Sequence, residues 1–189
     1  STQFTGKRSR GNRSPLYKMS SLSPGLLASV CFLYDSSLMG DDVPYILAPP
    51  EGELMELPVS WATDDWPPYV HSIDLDYMFQ IMSPDRAMEI FMAEFNAMRR
   101  AGGGLWIGIW HPFVSGRLSR WQRIEQMIEE MQDTGEVWFA TLEEIATHCR
   151  NAHDAGEVTL RRQDLPLYGG ASPLPDPFPS TMPDAKNGS

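Results

Sequence analysis

A small set of side chains in this 189-residue chain has the types and placement needed for general acid–base work. The run Leu105 to Phe113, LWIGIWHPF, is apolar up to His111, and Pro112 follows at once. Such a run reads as a buried parallel strand, and in α/β proteins the carboxyl ends of these strands open on ligand clefts. An imidazole at that end is either delivered into a cleft or caps the strand against a neighbouring carbonyl, and this stretch fits both. Asp64 and Asp65 stand between the apolar segment LMELPVSW and Trp66-Pro67-Pro68. A carboxylate beside an imidazole orients it and raises its basicity. Arg13 lies in GNRSPLY, a turn stiffened by Pro15. Asp35, Asp41 and Asp42 in YDSSLMGDDVPY complete the set, and the adjacent pair suits a turn cap as well as catalysis. Nucleophilic-serine and phosphate-loop chemistry has no support, because G-x-S-x-G, G-x-x-x-x-G-K-[ST] and G-x-G-x-x-G after a strand are all missing from the sequence.

Those residues need elements to carry them. Ser23-Pro24 predicts a short helix through Ala28, with a serine N-cap and proline at the first helical position. CFLY at 31–34 and LMELPVSW read as strands, and the adjacent Pro67 and Pro68 are expected to keep their segment out of any regular element. Ser83-Pro84 opens a helix with Met88, Phe91, Met92, Phe95 and Met98 on one stripe, stopped by Gly102-Gly103-Gly104. The methionines there read as core filler. After the His111 strand comes a second helix, with Trp121, Ile124, Met127, Ile128 and Met131 on its stripe, and then a strand, EVWFA. Thr141 and Glu144 form a capping box for a last helix through about Arg150. Alternating helices and strands predict an α/β fold with a parallel sheet and right-handed crossovers. The expected domain is 1–170, followed by a proline-rich tail at 171–189, extended or disordered.

With 42% hydrophobic residues the chain can bury one core, and its formal charge of −10 disfavours nucleic acid and anionic membrane as partners. The basic cluster Lys7, Arg8, Arg10, Arg13 and Lys18 reads as a solvated segment. Cys31 and Cys149 have no disulfide or zinc spacing, so the expected compartment is cytoplasmic, and no apolar run is long enough to span a bilayer.

In this order, GNRSPLY, LLASVCFLYDSSLMGDDVPY, LPVSWATDDWPPY, LWIGIWHPFVSGR and VWFATLEEIATHC resemble the carboxyl-terminal part of the NodB-homology polysaccharide deacetylases, carbohydrate esterase family 4. The resemblance covers about residues 5–150 and is to the cytoplasmic branch of peptidoglycan-deacetylase-like, allantoinase-like and cyclic-imide-hydrolase proteins. It implies the carboxyl-terminal part of a deformed (β/α) barrel that hydrolyses an amide or N-acetyl bond with a divalent metal, zinc first among the candidates. By this resemblance Arg13 braces a catalytic aspartate, Asp65 tunes His111, and His111 is the general acid for the leaving amine. Trp66 and Pro15 line the substrate pocket, and Tyr17 stands in for the aromatic that the family places where Leu16 is. SVC before Phe32 also departs from the family pattern.

The motifs that supply the family's base and metal ligands precede the arginine motif and have no counterpart in this sequence, and His71, His148 and His153 lack the H-x-x-x-H spacing. The resemblance therefore implies no metal site in this chain alone, no activity by itself, and a partner that is either the missing amino-terminal half or a second copy. The substrate class is a small amide or an N-acetylated sugar, with a cyclic imide or allantoin-type compound as the alternative. A different reading keeps the pocket wall without chemistry, as a binding or assembly module.

Overall fold

A computed structural model describes residue 6 and residues 8–165; the proline-rich 171–189 segment lies outside the described residues. Five short strands form one mixed sheet in the order β1-β2-β4-β3-β5: β1 (Gly11–Asn12), β2 (Tyr34–Asp35), β3 (Tyr45–Ala48), β4 (Leu54–Glu56) and β5 (Arg162–Asp164). Every pairing is parallel except β3 with β4, which run antiparallel. β1, β3 and β5 add to the sequence expectation. The sequence reads DSSLMGDDVPY as an acidic loop and APPEGE as a turn, yet β3 joins them, from Tyr45 to Ala48, and all four of its residues are buried. Ile46 packs with Met55 on one face, whereas Tyr45 and Leu47 pack with Leu54 on the other. A strand covered on both faces loses the apolar–polar alternation by which strands are recognised.

Six helical segments flank the sheet: α1 (Ser23–Ser29), α2 (Trp66–Tyr69), α3 (Pro84–Arg100), α4 (Pro112–Ser115), α5 (Leu118–Asp133) and α6 (Leu142–Asp154). Ser83 caps α3 through its side chain, and Thr141 with Glu144 closes the capping box of α6, both as the sequence predicts. Met88, Phe91 and Phe95 of α3 interlock with Ile124, Met127 and Met131 of α5 in a core that also takes Tyr69 and Val114. Trp121 falls off the expected stripe: it is exposed, and its indole N–H donates to Glu125 one turn on.

Two expectations need correction. Pro67 and Pro68 do not break regular structure; they occupy the first turn of α2, where the missing N–H groups would have no partner anyway. EVWFA joins no strand among the described residues, and LWIGIW pairs only through an isolated bridge between Asp64 and Ile109. The reason for the second lies in its neighbour. Trp61–Thr63 is a 3-10 turn capped by Ser60, so this stretch cannot offer a regular ladder. Leu105 N–H donates to Asp42 O at 2.9 Å and Ile109 N–H to Thr63 O at 3.1 Å. The Ile107 carbonyl between them is met by the Thr63 hydroxyl at 2.6 Å.

That hydroxyl substitutes for a ladder N–H, and Thr63 is buried. Thr63→Val keeps the shape but strands the Ile107 carbonyl, so it is expected to cost about 1–3 kcal/mol. Thr63→Ser is expected to retain most of the stability. Urea unfolding of both variants checks this, and equal losses would contradict it.

Candidate functional site

The Asp64–Ile109 bridge brings the end of the Thr63–Asp65 stretch alongside the end of the apolar run. Asp65 N–H donates to Ile109 O at 3.0 Å, which leaves the Asp65 side chain facing His111. His111 is the N-cap residue of α4, with extended backbone, and Pro112 takes the first helical position. Asp65 is fully buried and its carboxylate accepts three hydrogen bonds: from His111 Nδ1–H at 2.6 Å on Oδ1, and from His111 N–H at 2.8 Å and Ser115 Oγ–H at 2.5 Å on Oδ2. Because an ionised carboxylate can only accept, the Nδ1 proton lies toward Asp65 and Nε2 is the free ring nitrogen. The His111 side chain is 36% exposed. Its ring meets the edges of Trp66 at 5.2 Å and Phe113 at 5.9 Å between centroids. The result is an imidazole with one nitrogen fixed by a buried carboxylate and the other presented beside an aromatic wall, an arrangement that gives or takes a proton at Nε2.

Asp64 stands beside this pair. Its Oδ1 accepts the Trp66 N–H at 2.7 Å and its Oδ2 accepts the Tyr17 hydroxyl. Burial first, then this bond, push the Tyr17 phenol well above its ordinary value, so it remains a donor. Tyr17 also stands edge-on to Trp61 at 4.7 Å. It belongs to a tight turn, Pro15–Tyr17, in which Leu16 and Tyr17 both have left-handed backbone, φ 55° and 58°. For residues with side chains that conformation is strained, and it is held here by the contacts of Tyr17. Pro15 sits exposed at the head of the turn, and Leu16 points outward, 68% exposed.

Arg13 lies one step back. Its Nε donates to Ser36 O at 2.8 Å and its Nη2 to Ser36 Oγ at 2.7 Å, and its charge bears on the Tyr17 phenol. Tyr17, Asp65, Trp66 and His111 are thus gathered into one cluster with Asp64, and Arg13 and Pro15 border it. Asp41 is drawn elsewhere, to Arg161 and to the Asp42 N–H. Sequence reasoning missed Ser115 and Phe113. Pro112 marks a helix start, and that signal would have placed residue 115 one turn above residue 111.

Asp64, Asp65 and His111 form a group among the described residues whose ligand atoms lie within 4.8 Å of one another. They do not fit a resident metal ion. Both carboxylates are buried and every oxygen already has a protein donor, while the histidine nitrogen nearest them carries a proton.

No protein-family model matches the chain. It is 26% identical over 168 residues to a peptidoglycan deacetylase of Helicobacter pylori, an alignment covering 76% of this chain and 57% of that one. A solved structure from Mycobacterium smegmatis, assigned to the polysaccharide deacetylases, superposes with a TM-score of 0.76 at 42% identity, over 85% of this chain and 54% of that one. A second, from Pseudomonas aeruginosa PAO1 and likewise assigned, gives 0.66 at 25% identity over 81% and 49%. A Puue allantoinase shares the fold, with 0.67 at 24% identity over 84% and 50%. The chain spans about half the length of each of these relatives, and over that half it is similar to polysaccharide deacetylases.

Proposed function

We propose that this chain is the carboxyl-terminal portion of a metal-dependent hydrolase of amide or N-acetyl bonds, of the polysaccharide-deacetylase type, and that it works only when joined to the half that carries the metal ligands. The observation that carries the reading is the buried Asp65 carboxylate holding the His111 ring, in a chain that matches one half of a deacetylase fold. As the imidazolium, with a proton on each ring nitrogen, His111 gives its Nε2 proton to the departing nitrogen as the carbon–nitrogen bond breaks and is left neutral with its proton on Nδ1. Asp65 keeps the ring in the orientation that presents Nε2 and stabilises the charged imidazolium. Trp66, Tyr17 and Pro15 form the substrate wall, suited to the flat faces of a sugar ring, and Arg13 braces an aspartate of the other half. In this reading, polarisation of the scissile carbonyl by a divalent metal, zinc, is supplied by ligands outside this chain. The substrate is an N-acetylated sugar. Unpaired Cys31 and Cys149 support a reducing, cytoplasmic location, and the net charge of −10 supports a partner other than nucleic acid. Among the described residues no helix is long and apolar enough to cross a membrane.

Two measurements test this. In the assembled, metal-loaded enzyme, His111→Ala is expected to lower kcat by about 10²–10⁴-fold with little change in KM, because protonating the leaving nitrogen matters chiefly in the transition state. Near-normal turnover would reduce His111 to a structural cap. For the chain alone, calorimetric titration with zinc after chelator treatment is expected to show no tight stoichiometric site. One such site, abolished by Asp64→Asn, would place the metal on this half.

A further inference from the structure

Beneath Arg13 lies a buried acid pair for which the proposed chemistry has no use. Asp35 on β2 and Glu56 on β4 are register partners, and both are inaccessible to solvent. Asp35 Oδ1 accepts from Asn12 Nδ2 at 2.6 Å and Ser37 Oγ at 3.1 Å, and Oδ2 from Ser37 N–H at 2.9 Å. Glu56 Oε1 accepts the N–H groups of Ser37 and Leu38 at 3.1 and 2.9 Å. Glu56 Oε2 is buried without a donor. Two buried carboxylates in contact do not both ionise. A proton on Oε2 turns that orphan oxygen into a donor, and Asp35 is the carboxylate beside it, since the two are register partners and the Ser37 N–H reaches both. Burial, then the charge of Asp35, push Glu56 up to about 9. The other groups facing the pair come from β3 and beyond: Tyr45, pushed up to about 12 by burial and by Glu56, and the Asp41–Arg161 ion pair, whose guanidinium lies 4.0 Å from the centre of the Tyr45 ring.

The same network leads upward to the arginine turn. Ser37 Oγ accepts the Ser14 N–H at 2.8 Å while donating to Asp35. Ser36 Oγ accepts from Arg13 and donates to Leu57 O at 2.8 Å. Ser37 and Leu38 are therefore held from below by the acid pair, while Ser36 and Ser37 hold Arg13 and Ser14 from above. We propose that Asp35 and Glu56 share a single proton and act as the positioning pair for Arg13, fixing the Ser36–Leu38 loop on which its guanidinium rests. The importance of this device rests on the reading that Arg13 faces the reaction, but its test needs no turnover.

Nitrogen NMR of the full chain reads the Arg13 Nε–H group, assigned by its loss in Arg13→Lys. Slow exchange is expected in wild type and in Glu56→Gln, which keeps both an acceptor and a donor. In Glu56→Ala and in Ser37→Ala, which cuts the bridge to Ser14, exchange is expected to quicken about tenfold or more, the population change that losing one buried hydrogen-bond partner produces. Should Glu56→Ala fail to fold, Ser37→Ala decides. The shared proton is read separately from stability. A carboxyl raised in the folded state stabilises fully below its unfolded value and loses that contribution as pH rises through the folded one. The wild-type folding constant is therefore expected to fall relative to Glu56→Gln, approaching tenfold per pH unit between about pH 5 and 9. Parallel pH profiles for the two proteins, or an Arg13 signal unmoved in both Glu56→Ala and Ser37→Ala, would overturn the proposal. Loss of activity in His111→Ala bears on neither result, so the two readings fail independently.

Discussion

The Asp65 carboxylate is the constraint around which this half-barrel is arranged. An ionised carboxylate removed from water costs several kcal/mol unless donors replace the lost solvent, and here three do, two from His111 and one from Ser115. Those donors come from the N-cap and the first turn of α4, while the acceptor comes from the stretch that precedes α2. The segments must therefore meet in one register. The Thr63 hydroxyl on Ile107 and the backbone exchange between Thr63, Asp65 and Ile109 supply that register where a regular ladder is lacking.

Rigidity on the histidine side is matched by strain on the tyrosine side. Two successive residues with side chains, Leu16 and Tyr17, hold left-handed backbone, at a cost of about 1–2 kcal/mol each. The turn persists because its flanks are tied down: Tyr17 to Asp64 and Trp61, Ser14 to Ser37, and Arg13 to Ser36. The turn directs the Tyr17 side chain toward Asp64 and leaves Leu16 in solvent. Tyr17 in turn stands edge-on to Trp61, with ring centroids 4.7 Å apart.

What could be read in the sequence follows from the range of each interaction. Helix caps at Ser83 and Thr141 and the stripes of α3 and α5 depend on neighbours three and four residues away, and, the exposed Trp121 aside, they stand where the spacing puts them. His111 and Asp65 were legible as chemistry-bearing residues because each interrupts an apolar context, and their meeting followed from the resemblance. β3 was not legible, since two buried faces erase alternation and the flanking prolines mimic a loop. Nor was the 3-10 turn that lets a threonine hydroxyl replace a ladder N–H, because that depends on a partner 44 residues away. Glu56 does carry a signal in the sequence: a single acid between Met55 and Leu57 in an apolar strand must find unusual partners.

The central claim is that Asp65 fixes the His111 ring with Nδ1–H inward and Nε2 free. Nitrogen-15 NMR of the histidine ring, assigned with His111→Ala, tests it directly. The account predicts that the neutral ring carries its proton on Nδ1, with a strongly downfield resonance that disappears in Asp65→Asn. A neutral His111 protonated on Nε2, with no downfield proton, would contradict it.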